Sequence, residues 1–212
     1  FLDPEGRLDK EYSRIYGMTI DKNNYAMPDT VEQVFKTIRG WDAPDKGKKI
    51  THVVGVDSLA ALSTELEMEK GDKMGMKRAK DFSQELRKTA RIIKNRNWLI
   101  AATNQVRDGE YGEVTPGGNA IAFYASLRMR VAQIKRIEKK VKLSSGKEVS
   151  KVIGIQSHVF IKKSTVDDPF RECDIFIVFQ YGVDDIRGNL QFCKDMTGDT
   201  MYETPDKKRY QS

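Results

Sequence analysis

Two apolar runs separated by a long helical pattern constrain the fold of this chain more than any other feature. The runs are ITHVVGVDSLAAL (50–62) and NWLIAATNQ (97–105), and polar residues bound each of them. Between them, apolar side chains recur at helical spacing over about residues 76–96. Short runs that are apolar throughout are typical of strands buried on both faces of a parallel sheet. The order strand, helix, strand therefore predicts an α/β fold with right-handed crossovers.

The residues before the first run extend this pattern. FLDPEG (1–6) predicts a strand that ends in acidic residues, and LDKEYSRIYG (8–17) predicts a short helix. A second helix is predicted over 27–40, with Asp29 or Thr30 as its N-cap. The buried stripe of this helix is predicted to comprise Val31, Val34, Phe35 and Ile38.

The second half of the chain predicts a helix followed by an antiparallel hairpin. LSSGKE (143–148) is a turn signal between two basic strands, and CDIFIVFQYG (173–182) predicts a further strand. The residues from about Lys194 onward are polar. We therefore predict one core over residues 1–193 and a short tail over 194–212.

Composition and charge exclude several classes of protein. The longest apolar runs are far too short to span a bilayer, and no signal segment opens the chain, so we expect a cytoplasmic protein without a membrane partner. Cys173, Cys193, His52 and His158 are the only cysteines and histidines, and their spacing does not fit a zinc site.

Positive charge is concentrated in one part of the chain. The net charge is +6, and residues 128–151 hold nine lysines or arginines against two glutamates. A solvated hairpin face and a surface that contacts nucleic acid both explain this pattern.

Polar side chains follow three of the predicted strands. Because the carboxyl ends of parallel strands share one edge of a sheet, these side chains are expected to lie together. An aspartate there can hold Mg²⁺, a glutamate can accept a proton from water, and an amide can sense a phosphate. Helix caps or solvated strand ends are the structural alternative. The residues are Asp3, Glu5, Asp57, Ser58, Asn104 and Gln105.

Taken together, these segments resemble the RecA family of DNA recombinases in its bacterial or phage form. FLDPEGRLDKEYSRIYG resembles the strand and helix after the family's phosphate loop, and VVGVDSLAAL its Mg²⁺-binding strand. DKMGMKRAKDFSQELRK resembles the first DNA-binding loop and the helix after it. TNQVRDGEYGEVTPGGNAIAFYASLRMRV resembles the phosphate-sensing strand end and the second DNA-binding loop.

The resemblance implies a fold and a function. The fold would be a RecA-like P-loop ATPase core, with a mostly parallel twisted sheet flanked by helices and an antiparallel hairpin extension. The intact protein would use ATP and Mg²⁺ as a DNA-dependent ATPase. It would form a helical filament on single-stranded DNA and exchange strands with a homologous duplex.

The resemblance also assigns residues to the ATP site. Glu5 matches the glutamate that activates water, and Gln105 matches the phosphate sensor. Lys163 matches a lysine that reaches across the filament interface. The cofactor-binding positions are Asp9 and Tyr12 at the adenine, and Asp57 with Ser58 at the Mg²⁺.

A second group of residues is assigned to DNA by the same resemblance. In the second loop, an arginine can reach phosphates, glycines allow close approach of the backbone, and a tyrosine can stack on bases. Lys80 and Arg87 are assigned near the first DNA loop. The residues assigned to the second loop and the start of the helix after it are Arg107, Tyr111, Gly117, Gly118 and Asn119.

The chain departs from the family pattern in several ways. It contains no GxxxxGK[ST] motif and begins with Phe1, so we expect a fragment that is inactive alone. Thr165 stands where the family has a second lysine at the filament interface, and the second DNA loop is short.

Two other functions remain open. One is a module that binds DNA or regulates a partner without ATPase activity. The other is a hexameric helicase or clock-type ATPase on the same fold. The latter explains the strand-end carboxylates but not the GGNAIAFYAS sequence after a DNA-type loop.

Overall fold

The computed structural model describes residues 1–41, 51–64, 68, 75–109, 112–198, 201–203 and 206–210. These residues form two compact units, Phe1–Ala125 and Ser126–Ser212. In the ranges described, no helix has the length and apolar character needed to cross a membrane. The predicted boundary between core and tail at residue 193 stays a prediction.

The first unit mixes helices with short strands. Its elements in chain order are α1 (Lys10–Ile15), α2 (Val31–Gly40), β1 (His52–Val56), a 3₁₀ turn (Leu59–Ala61), α3 (Gly75–Asn95), β2 (Trp98–Ala102), β3 (Arg107–Gly109), β4 (Gly112–Val114) and α4 (Gly118–Tyr124). β1 and β2 are parallel, in register from His52 opposite Trp98 to Val56 opposite Ala102. Leu2 forms a parallel bridge to Val56, which adds the N-terminal segment beside β1.

Helix α2 confirms the predicted apolar stripe. All four predicted residues are buried, and Phe35 meets Phe82 of α3 edge to face, with ring centroids 6.3 Å apart. The helix begins at Val31, later than predicted, because the residues before it are extended. The N–H of Val31 donates to the carbonyl of Ser63, and the N–H of Ser63 donates to the carbonyl of Asp29.

The parallel strands are buried on one face, so the prediction of burial on both faces is wrong. Val54 and Val56 belong to the core cluster with α2 and α3. Val53 is 59% exposed and Leu99 is 53% exposed. Successive side chains of a strand point to opposite faces, and the helices cover one of them.

The second unit is built around an antiparallel sheet. Its elements are β5 (Leu127–Lys142), β6 (Glu148–Ser164), β7 (Glu172–Val178), β8 (Gly182–Val183), α5 (Asp185–Thr197), β9 (Tyr202–Glu203) and β10 (Arg209–Tyr210). The four strands β5 to β8 pair in sequence order, and β9 pairs with β10.

This sheet corrects the expectation of a mostly parallel fold. Short turns join the successive strands of the second unit, and a parallel pair would need a long crossover instead. Residues Lys194 to Thr197, the first four of the predicted tail, form the last turn of α5.

Candidate functional site

Hydrogen bonds align three chain segments at one edge of the first unit. The N–H of Leu2 donates to the carbonyl of Gly55 at 2.8 Å, and the N–H of Asp57 donates to the carbonyl of Leu2 at 3.0 Å. On the other side of β1, the N–H of Thr103 donates to the carbonyl of Val56 at 2.9 Å. The three segments therefore end at the same edge, as the sequence predicts.

An open cavity of about 220 Å³ lies at this edge. It brings together four residues that the resemblance assigns to ATP: Glu5, Asp9, Tyr12 and Asp57. The other lining residues are Phe1, Asp3, Arg7 and Leu8. Four carboxylates and one guanidinium make the lining acidic, so a polyphosphate would need cations to bind there.

Glu5 is held by one hydrogen bond and one ion pair. The Ser58 hydroxyl donates to Oε1 of Glu5 at 2.7 Å, and Nη1 of Arg7 lies 3.4 Å from Oε2. The Glu5 side chain is 23% exposed, so water can reach it. A positioned carboxylate with access to water has the geometry that a general base needs.

Asp57 follows β1 and lies beside the end of β2. The Thr103 hydroxyl donates a hydrogen bond to Oδ1 of Asp57. The carbonyl of Thr103 also accepts from the N–H of Leu59, which begins the 3₁₀ turn. The position of Asp57 is thus fixed by the neighbouring strand as well as by its own.

Asp9 and Tyr12 are joined by the cap of α1. Oδ1 of Asp9 accepts from the N–H of Tyr12 at 2.7 Å, so Asp9 is the N-cap of this helix. The Tyr12 ring is 43% exposed, and its hydroxyl lies 3.3 Å from that of Tyr16. The hydrogen bond with Tyr12 raises the pKa of Tyr16. Capping accounts for Asp9 structurally, while the exposed Tyr12 ring can still stack on a planar ligand.

Asp3 supports the loop that presents Glu5. It is only 2% exposed, and its carboxylate accepts from the N–H of Leu8 at 2.8 Å and from the Tyr25 hydroxyl at 2.9 Å. Burial alone raises the pKa of Asp3, but these donors outweigh burial and hold the pKa below its ordinary value. Asp3 is therefore a buried, hydrogen-bonded anion in the wall of the cavity.

The segment after β2 forms a hairpin where the sequence predicts a loop. β3 and β4 are antiparallel, from Arg107 opposite Val114 to Gly109 opposite Gly112. Nη2 of Arg107 lies 3.4 Å from Oε1 of Gln105, and both residues are exposed. Tyr111 lies outside the described residues.

Gly117 and Gly118 have a packing role at the start of α4. Their φ angles are 91° and 68°, which favour glycine. A Cβ on Gly117 would lie 2.4 Å from Cδ1 of Ile121, and one on Gly118 would lie 2.8 Å from Cβ of Ala79. These contacts explain both glycines without a ligand, whereas Asn119 beside them is exposed.

Lys80 and Arg87 lie on the exposed face of α3. They are seven residues apart, which places them two turns apart on the same side of the helix. Both therefore present charge to solvent from one rigid element. Lys163, in the second unit, is half-buried on β6 opposite Arg128.

A family model described as the RecA N-terminal domain matches residues 1–184. The chain belongs to the RecA family. It is 34% identical to protein RecA of Pseudomonas putida over 190 residues, which is 86% of this chain and 50% of that protein. The chain thus spans about half the length of this curated relative.

The parallel sheet of the first unit and the antiparallel sheet of the second are compatible with a RecA-like α/β fold.

Sequence reasoning missed the contributions of Thr103 and Arg7. Thr103 lies between the apolar strand β2 and the assigned Gln105, so its place at a strand end was a usable signal. Arg7 has no such signal, because its contact with Glu5 depends on how the chain turns after the strand end.

Proposed function

We propose that the intact protein is an ATP-dependent recombinase that forms a filament on single-stranded DNA and exchanges strands with a homologous duplex. The observation that supports this proposal best is the meeting of Glu5, Asp57 and Tyr12 around one cavity. A carboxylate that can act as a base, a carboxylate that can bind a metal and an aromatic ring that can stack on a base are groups that a nucleotide-hydrolysing site can use.

Glu5 is the proposed general base. Its carboxylate would accept a proton from the water that attacks the γ-phosphate, while Ser58 holds Oε1 in place. The guanidinium of Arg7 lies 3.4 Å from Oε2 of Glu5. This ion pair would have to break as the carboxylate turns toward that water.

The nucleotide and its metal would bind beside Glu5. Asp57, Ser58 and Thr103 offer only oxygen donors, which suit Mg²⁺. Mg²⁺ supplies charge neutralisation of the phosphates when bound. The adenine would stack on Tyr12, with Asp9 at the root of the same helix.

The hairpin after β2 would connect this site to DNA. Gln105 would bond to the γ-phosphate, releasing Arg107 for a DNA phosphate. The other proposed DNA contacts are Tyr111, Gly117, Gly118 and Asn119, with Lys80 and Arg87 on α3. Lys163 would reach the γ-phosphate of the neighbouring subunit.

This chain alone is proposed to bind ATP weakly. It has no GxxxxGK[ST] motif, whose backbone N–H groups and lysine would hold the phosphates. The acidic lining of the cavity repels a polyphosphate further. The acidic lining also favours the second candidate function, a RecA-like DNA-binding or regulatory module without ATPase activity.

ATP hydrolysis by the intact protein separates the two functions. Under the recombinase proposal, single-stranded DNA stimulates turnover, and Glu5→Gln lowers turnover by about 10²- to 10⁴-fold while ATP binding persists. Glu11→Gln is the matched control, because Glu11 is an exposed residue of α1 outside the cavity lining. Full turnover in Glu5→Gln would remove Glu5 from the base role. Absence of turnover in the unmodified protein, with DNA binding intact, would favour the module.

A further inference from the structure

The end of the long hairpin is a separate structural feature, which we call the distal arm (residues 138–152). β6 pairs with β7 only over Gly154–Phe160, whereas the arm lies beyond that pairing. Within the arm, Glu138–Lys142 pairs with Glu148–Val152. Among the described residues, no third strand joins these two, so the arm is a two-stranded ribbon.

The distal arm is strongly basic. Its 15 residues include five lysines against two glutamates, a net charge of +3 where the whole chain has +6. All five lysines are exposed. No ion pair joins any of them to a carboxylate in the part of the chain that the structure describes. The lysines are Lys139, Lys140, Lys142, Lys147 and Lys151.

The two faces of the ribbon differ in charge. On one face, Glu138 accepts a hydrogen bond from Ser150, and Lys142 lies in register with Glu148. On the other face, Lys139 lies directly opposite Lys151. Directly opposed side chains of a ribbon are about 5 Å apart, and like charges at that distance destabilise the pairing. The second face therefore has a charge that an external polyanion would neutralise.

We infer that the distal arm binds the phosphate backbone of double-helical DNA. The inference rests on the proposed function for the identity of the polyanion. Sites for single-stranded DNA stack bases on aromatic rings, and residues 138–152 contain no Phe, Tyr or Trp. A ribbon of two strands fits the DNA major groove, which is about 12 Å wide. Five paired residues extend roughly 17 Å, enough to contact several phosphates.

The test compares two triple variants of this chain. The arm variant is K139Q/K147Q/K151Q, and the control is K22Q/K36Q/K94Q, which changes three exposed lysines of the first unit. Fluorescence anisotropy measures the affinity for a labelled duplex and for its single strand between about 50 and 200 mM salt. Anionic vesicles of phosphatidylserine provide a third ligand.

The arm variant is expected to bind the duplex at least about tenfold more weakly than the control. Its slope of log K against log salt should fall by about 2.7, because each phosphate that the arm no longer neutralises removes about 0.9 from the slope. Equal duplex affinity of the two variants would overturn the inference but not the proposed function, and would leave the lysines as protection of an edge strand. The inference would also be overturned if the arm variant lost affinity for the vesicles but kept its affinity for the duplex. Failure of the unmodified chain to bind either form of DNA would count against both.

Discussion

Replacement of Gly117 by alanine distinguishes a packing role from a DNA-binding role. The φ of 91° costs an alanine about 1–2 kcal/mol. The new Cβ would also lie 3.0 Å from Cδ2 of Phe82, which is fully buried, and 2.4 Å from Cδ1 of Ile121. Overpacking of this kind costs about 1–3 kcal/mol. Gly117→Ala should therefore lower the free energy of unfolding by about 2–5 kcal/mol.

Gly17→Ala is the matched control. Its φ of 72° imposes a similar backbone cost, but a Cβ there would meet no heavy atom within 4 Å. Both tryptophans, Trp41 and Trp98, belong to the first unit, so their fluorescence in a urea titration reports its unfolding. With a slope of about 2 kcal/mol per molar urea, Gly117→Ala should lower the midpoint by roughly 1–2.5 M.

The stabilities of Gly117→Ala and Gly17→Ala can contradict the packing role of Gly117. If the two alanine variants lose the same stability, the packing argument for Gly117 is wrong. If Gly117→Ala also loses affinity for single-stranded DNA in that case, the glycine serves the ligand, as the family resemblance suggests.

Two further predictions concern charged groups. Glu85→Ala should cost about 3–5 kcal/mol at pH 7, because Arg39 and Lys88 both donate to this buried carboxylate. Burial raises the pKa of Glu85, but the two donors outweigh it and lower the pKa below 4.5. The difference in urea stability should therefore be present above about pH 4.5 and fade as the pH falls through the folded-state pKa. If the stability difference between the unmodified protein and Glu85→Ala stayed the same in strong acid, the role of the Glu85 carboxylate would be contradicted. For His158, the hydrogen bond to Asp174 at 2.8 Å raises the pKa of the imidazole above 6.5. The stabilising effect of this pair is therefore full below about pH 6.5 and is lost as the pH rises through the pKa of His158 in the folded protein. The NMR midpoint of the ring should fall in Asp174→Asn, and an unchanged midpoint would refute the pairing.

Periodicity and chain direction predicted the parts of the fold that depend on local pattern. The stripe of α2 follows the 3.6-residue repeat, so its four buried residues could be read from the sequence. Glu5 and Asp57 could be expected together because parallel strands share an edge. Both inferences need only the order of polar and apolar residues.

Features that depend on specific side-chain contacts could not be predicted. The hydrogen bond from Ser58 to Glu5 joins residues 53 positions apart, and nothing in the local sequence specifies it. The hairpin of β3 and β4 was missed because Arg107, Asp108 and Gly109 show no alternation of apolar and polar residues. The burial of Val53 was predicted wrongly, because an apolar run in the sequence does not reveal which face of a strand is covered.

Thr103 and Asn104 are adjacent in the chain and connect Asp57 at the cavity to the end of the β3–β4 hairpin. Thr103 binds Asp57 through its hydroxyl, and Nδ2 of Asn104 donates to the carbonyl of Pro116 at 2.9 Å, beyond the far strand of the hairpin. A displacement of Asp57 thus reaches the end of the β3–β4 hairpin through two hydrogen bonds and one covalent link. By thermodynamic reciprocity, coupling between the two places acts in both directions. If a ligand bound in the cavity changes the affinity of the hairpin for its own ligand by some factor, then the hairpin ligand changes the affinity of the cavity by the same factor.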